Sequence, residues 1–257
     1  MKIVVCVKEV PDSAARIRVV ADTGIDGSII HMMNPYDEVA LAAAVRIRES
    51  LGRAEIIILS LGPERARKTL ESALARGADR GIFIRTGQDP GPARTGSVLA
   101  AAISDEGGVD LVLTGRESID KRGIQVHHRL GRGLGWPVLN DVSGLEVEEN
   151  GFTCRVEAGP GREKVYFIPR PAVIGAARNL ALPRYPLMKD MMAARGKPVR
   201  ITDPDRPALG DGLPDLEPER LEEHAFERQG VIYRDSSDRF IDDLILLISG
   251  GGEGDSR

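Results

Sequence analysis

Residues 110–135, DLVLTGRESIDKRGIQVHHRLGRGLG, open as a short run of apolar side chains and close as a segment of helical period. The junction between them is rich in glycine and basic groups, yet it carries no GxxxxGK(S/T) phosphate loop. A short apolar strand feeding a helix in this way is a unit of a parallel sheet, whose strands are covered on both faces. The spacing predicts a strand over 110–115 and a helix from about 121 to 134.

The scheme repeats on both sides. KIVVCVK (2–8), AEIIILSLG (54–62), RGIFIR (80–85) and PAVIGAA (171–177) read as further buried strands. Between the first two, Tyr36, Val39, Ala40, Ala43, Ile47 and Leu51 recur at helical spacing. Asn34 before Pro35 reads as the N-cap of that helix. A second helix follows Pro63 and stops before Gly77, and a third is predicted over 93–105. Strands alternating with helices make an α/β sandwich on a mainly parallel sheet. From residue 138 the pattern changes to alternation, with turn signals at Glu149–Gly151 and Ala158–Gly161, which predicts an antiparallel insertion. After Pro183 the chain reads as irregular, and DPDRPALGDGLPDLEPER has the composition of an extended arm. Phe240, Ile241, Leu244, Ile245 and Ile248 then mark a last amphipathic helix, with Ser236 or Ser237 as its N-cap. A helix this short is marginal alone and needs a surface to cover. The closing GGGEGDSR reads as disordered.

Composition sets the class. The chain has 257 residues, is 29% charged and 42% hydrophobic, and carries a formal charge of −4. That balance suits a globular protein and argues against a sequence-independent nucleic-acid binder. No apolar stretch reaches ~18 residues, so neither a transmembrane helix nor membrane insertion is expected. Cys6 and Cys154 lie far apart and form no CxxC, which fits a reducing, cytoplasmic setting and no metal site.

Ligands of parallel α/β sheets sit beyond the carboxyl ends of the strands, where helix N-termini face anions. The candidate loops are CVKEVPD, MMNPYDE, LSLGPE and TGRESIDKRGIQ. Asn34 is read either as a bare helix cap or as a ligand contact. Gly62 and Gly115 are read either as contacts or as relief where a strand turns. Three signals are set aside. GRGLG (131–135) mimics a dinucleotide fingerprint but sits at a helix end, where a C-cap is expected. SGGGEGDS (249–256) echoes the phosphate loop of ATP pyrophosphatases but opens no helix. His127 and His128 are adjacent and so are expected to point apart, not to chelate. No acid, base and nucleophile set with motif spacing is present, so no catalytic machine is expected.

MNPYDEVALAAAVRIRE, SLGPERARKTLESALARGADRGI, DLVLTGRESID…QV and PAVIGAARNLALPRYPLMKDMMAARGKPV together resemble the electron transfer flavoprotein β subunit family. The resemblance runs from Met1 to about residue 201 and is weaker over 230–248. It implies a three-layer, Rossmann-like, adenine-nucleotide-binding domain over 1–200 with a recognition loop at about 182–197. A C-terminal arm and helix over 201–249 would wrap the partner subunit, ahead of a disordered tail at 250–257. The implied protein is an electron carrier without independent turnover, paired in a heterodimer with an α subunit that holds most of the FAD. It would bind AMP structurally, accept electrons from flavin dehydrogenases such as acyl-CoA dehydrogenase, and pass them to electron transfer flavoprotein:quinone oxidoreductase.

Carried over by that resemblance, the nucleotide contacts are Cys6, Val7, Asn34, Ser60, Leu61, Gly62, Gly115, Asp120, Gly123, Ile124, Gln125 and Val126. The recognition loop comprises Pro183, Arg184, Tyr185, Leu187, Met188 and Met191, with Met188 in the anchor position where leucine is usual. Lys121, Arg122, Gly123 and Ile124 depart from the family pattern, and His127–His128 stand where electron-bifurcating members have Gly-Pro. Lys121 and Arg122 are read either as phosphate contacts or as solvated charges. Arg162 and Lys164 are expected to face solvent, and Trp136 and Tyr166 to pack and not to stack on a flavin. A second FAD in place of AMP, a stand-alone adenine-nucleotide sensor and a nucleotide-cleaving enzyme stand as alternatives.

Overall fold

The computed structural model describes residues 1–15, 18–20, 24–25, 29–87, 90–203 and 238–248. The chain divides into two compact units, Met1–Leu221 and Glu222–Arg257. Most of the expected arm, its helix caps Ser236 and Ser237, and the 250–257 tail lie outside the described residues.

The first unit is built on a nine-stranded sheet. In chain order its strands are β1 (Lys2–Val7), β2 (Glu55–Gly62), β3 (Arg80–Arg85), β4 (Leu111–Gly115), β5 (Val138–Val147), β6 (Gly151–Glu157), β7 (Glu163–Pro169), β8 (Ala172–Ala176) and β9 (Val199–Thr202). They lie in the order β7-β6-β5-β8-β4-β1-β2-β3-β9. Neighbours from β5 through β8, β4, β1, β2 and β3 to β9 pair parallel, while β5, β6 and β7 pair antiparallel. The expected antiparallel insertion is therefore an extension of the one sheet. The edge strand β9 was hidden in a stretch read as irregular, because Val199–Thr202 is too short to show a period.

The same unit carries helices α1 (Pro35–Leu51), α2 (Arg67–Ala75), α3 (Gly91–Glu106), α4 (Val126–Leu134) and α5 (Met188–Ala194). Alternation along the strands splits the core into two layers. Ile3, Val5, Ile56, Ile58, Phe83, Leu111 and Leu113 face α1 and α2, while Val4, Ile57, Leu59, Ile82 and Val112 face α3 and α4. The sheet with a layer on each face is the three-layer sandwich that the sequence pattern implied.

One helix start differs from expectation, and one cap is used differently. α4 begins at Val126, not near residue 121, because Arg122 and Ile124 take left-handed φ of 47° and 51° that no helix accepts. Gly135 does cap this helix in the left-handed conformation, as expected of GRGLG. Asn34 occupies the N-cap of α1 but makes no side-chain cap bond; its amide is used across the fold instead. In the second unit, α6 spans Asp238–Ile248, with Phe240, Ile241, Leu244 and Ile245 exposed.

Candidate functional site

The chain leaves β1 toward β2 and β3 on one side, then returns to place β4 on the other, so the topological switch point lies between β1 and β4. Their ladder pairs Val5 with Leu113, two residues short of both strand ends. Beyond it, one side chain bridges the parting strands. Asp37, in the first turn of α1, accepts Lys8 N–H at 2.8 Å on Oδ2 and Gly115 N–H at 2.9 Å on Oδ1. The carboxyl is buried, and burial pushes it up to about 7 against the lowering effect of its hydrogen bonds.

Asn34 makes the second tie. Its Nδ2 donates to Glu117 O at 2.9 Å, and its Oδ1 accepts Ile119 N–H at 3.2 Å. It therefore fastens the β4–α4 junction to the start of α1. Lys8 Nζ adds an ion pair to Asp120 at 2.6 Å. Arg116 leaves the junction sideways, pairing with Asp141 at 3.0 Å and lying 5.6 Å over the Tyr36 ring. Gly115 is required by this crowding, since a Cβ there would lie 2.5 Å from Asp37 Oδ1 and 2.9 Å from the Tyr36 backbone.

The predicted contacts fall into two groups. Cys6, Val7, Asn34, Ser60, Gly62 and Gly115 are buried and gather at the adjoining ends of β1, β2 and β4, where Val7 pairs with Ser60, while Leu61 is half-buried. Asp120, Gly123, Ile124 and Gln125 form an exposed junction that leads to the half-buried Val126 at the start of α4. Ser60 Oγ is buried without a hydrogen-bond partner. Lys121 and Arg122 are both exposed. A polar cleft of about 200 Å³, lined by Arg116, Asp141, Ser143, Glu157, Ala177, Arg178 and Asn179, flanks the far side of Arg116 and includes none of the predicted contacts.

Residue-type reasoning passed over Asp37, because an acid in the first turn of a helix reads as ordinary dipole complementation. His127, set aside as a metal ligand, is 2% exposed with Nε2 unpartnered. The two histidine rings do not diverge as expected: their centroids lie 4.2 Å apart at a tilt of 52°. Among the described residues no cluster of His, Cys, Asp and Glu could hold a metal ion. No helix among them is long and apolar enough to cross a membrane.

The stretch over 182–197, expected as a loop, contains a helix. Met188–Ala194 is helix α5, packed on α2. Arg76, the C-cap residue of α2, holds the approach to it, donating to Arg184 O at 3.2 Å and lying 5.6 Å over the Tyr185 ring. Lys197 closes the other side on Leu74 O and Ala78 O, at 2.9 and 2.6 Å. The anchored segment presents Leu182, Arg184, Tyr185, Leu187, Met188, Met191 and Met192 to solvent, with Pro183 half-buried. Arg162 and Lys164 are exposed, as is Tyr166, and Trp136 packs partly buried against the α3–α4 layer.

Fold and site together define a three-layer α/β domain with a tied crevice at its switch point and a separate apolar surface. The model of the electron transfer flavoprotein domain matches residues 19–207. Electron transfer flavoprotein subunit beta of Syntrophomonas wolfei is 36% identical over 199 residues, covering 77% of this chain and 78% of its own. The human protein of that name is 35% identical over 211 residues, covering 79% and 82%. The mitochondrial protein of japonica rice is 33% identical over 251 residues, covering 95% and 97%. The chain belongs to the electron transfer flavoprotein β subunit family.

Proposed function

We propose that the chain is the β subunit of a heterodimeric electron carrier in which it binds AMP structurally and docks the electron donor. The observation that carries the nucleotide half is the buried, unpartnered Ser60 hydroxyl near the end of β2, beside Val7 of β1. An orphaned polar atom costs about 1–3 kcal/mol unless a ligand or water meets it. The backbone ends of β1 and β2 and, separately, the first turn of α4 offer N–H donors, which suits a nucleotide with its phosphate at a helix N-terminus. Cys6, Val7, Asn34, Ser60, Leu61, Gly62, Gly115, Asp120, Gly123, Ile124, Gln125 and Val126 form this cradle. Asn34 serves it indirectly, because its amide is engaged by Glu117 and Ile119.

In this reading FAD, held mostly by the α subunit, supplies the electron-carrying ring when bound. The residues of this chain position the partner and shape the docking surface, and the chain has no turnover of its own. The segment Pro183, Arg184, Tyr185, Leu187, Met188 and Met191 receives a flavin dehydrogenase, with acyl-CoA dehydrogenase as the model donor and electron transfer flavoprotein:quinone oxidoreductase as the acceptor. Methionine suits such a surface because it repacks against differing partners. The arm and helix over 201–249 cover the α subunit. Two buried free thiols, Cys6 and Cys154, fit a cytoplasmic setting.

The test is co-expression with an α subunit, denaturation, and quantification of released nucleotides per heterodimer. One FAD and one AMP support the proposal. Two FAD and no AMP replace it with a bifurcating carrier, and a nucleotide-loaded chain that takes no partner replaces it with a sensor.

A further inference from the structure

His127 is a buried polar side chain that takes no part in the ties between β1, β4 and α1. It stands in the first turn of α4, three and four residues before Leu130 and Gly131. Leu130 is fully buried in the α3–α4 layer, and a Cβ at Gly131 would strike Val138 of β5. His127 therefore shares the sheet-facing stripe of the helix, one turn nearer its N-terminus. Helix α4 follows β4 and packs on β8 and β5, so its N-terminal turn lies at the carboxyl ends of those strands. Helical side chains lean toward the N-terminus, so the imidazole lies on the N-terminal side of Leu130.

Two independent features then coincide. The first-turn N–H groups of α4 have no partners within their own helix. In the same turn His127 Nε2 is buried and unpartnered, while its neighbour His128 is exposed. We propose that His127 completes the phosphate end of the nucleotide cradle, its neutral Nε2–H donating to a phosphate oxygen alongside the backbone N–H groups of α4. The inference rests on the nucleotide reading above and adds the one side-chain donor that the resemblance did not supply. Burial, followed by the charge of His128, holds the imidazole well below its usual range, at about 4, so at neutral pH it carries a single N–H. A neutral donor adds directionality, and the helix terminus supplies the field.

The experiment titrates the nucleotide-stripped heterodimer with AMP and with adenosine, which lacks the phosphate. His127→Ala is expected to weaken AMP at least about tenfold and to leave adenosine within about twofold. His127→Gln, which retains a neutral N–H, is expected to recover most of the loss and also serves if the alanine variant fails to fold. Equal weakening of both ligands, no weakening of either, or a glutamine variant no better than alanine overturns the assignment and leaves the cradle standing. Failure of the unmodified heterodimer to bind AMP overturns the cradle as well.

Discussion

Asp37 and Gly115 stand 78 residues apart and meet through a single 2.9 Å hydrogen bond, from the Gly115 N–H to Asp37 Oδ1. The same carboxylate takes the Lys8 N–H, so one buried side chain closes the gap where β1 and β4 stop pairing. The relationship is steric as well as polar, and it leaves no room for a side chain at residue 115.

Gly115→Ala is accordingly expected to cost about 2 kcal/mol or more, because the added methyl meets backbone and a buried carboxylate and not a flexible chain end. Urea unfolding of the variant measures it. A loss below about 0.5 kcal/mol would mean that α1 shifts freely against β4.

Removing the Asn34 amide releases Glu117 O and Ile119 N together. Asn34→Ala is expected to lower stability by about 1–3 kcal/mol, and to expose the 117–124 junction to proteolysis before the rest of the chain. Limited proteolysis with mass mapping of the first cut checks this. A first cut elsewhere counts against Asn34 as the tie.

Asp37 and His127 give opposite pH responses. Burial raises Asp37 from 3.8 to about 7, so the folded protein holds that proton more tightly than the unfolded chain. Its stabilising contribution is present below about 4 and is lost as pH rises toward 7. Burial lowers His127 from 6.5 to about 4, so its contribution is present above 6.5 and is lost as pH falls toward 4. Asp37→Asn should flatten the first slope and His127→Gln the second, read from unfolding free energies between pH 4 and 8. A His127→Gln profile parallel to the parent would show that His127 is not the acid-sensitive group.

Met188 is 71% exposed at the start of α5. Met188→Glu is expected to leave stability within about 0.5 kcal/mol while slowing reduction by a dehydrogenase about fivefold or more. Stopped-flow reduction of the heterodimer by acyl-CoA dehydrogenase separates the two readouts. An unchanged rate would move the docking surface elsewhere.

Arg76 supports that surface from behind. It pairs with Glu38 at 2.8 Å, with both side chains less than one-fifth exposed. Arg76→Ala should cost about 1–3 kcal/mol, because the largely buried Glu38 carboxylate is left without its cation. It should also speed hydrogen exchange in the segment around Arg184, whose carbonyl Arg76 holds. Exchange that stays as slow as in the parent would assign the order of that segment to Lys197 instead.

The sequence by itself determined the layers. Branched apolar runs such as AEIIILSLG can only be strands covered on both faces, and the period of residues 35–51 can only bury one side of a helix, so local chemistry implied the sandwich. The residues of the crevice were legible where a strand end, a glycine and a helix start coincide, as at Gly62 and Gly115. Tertiary structure alone decided what those residues do to one another. Asn34 looked like a cap, because capping is local, but its amide finds partners at Glu117 and Ile119, more than eighty residues away. The α4 start slipped to Val126 because left-handed backbone at Arg122 and Ile124 leaves no periodic trace. Asp37 and His127 are ordinary by residue type and become distinctive only through burial and hydrogen bonding, which depend on chain segments that the sequence keeps far apart.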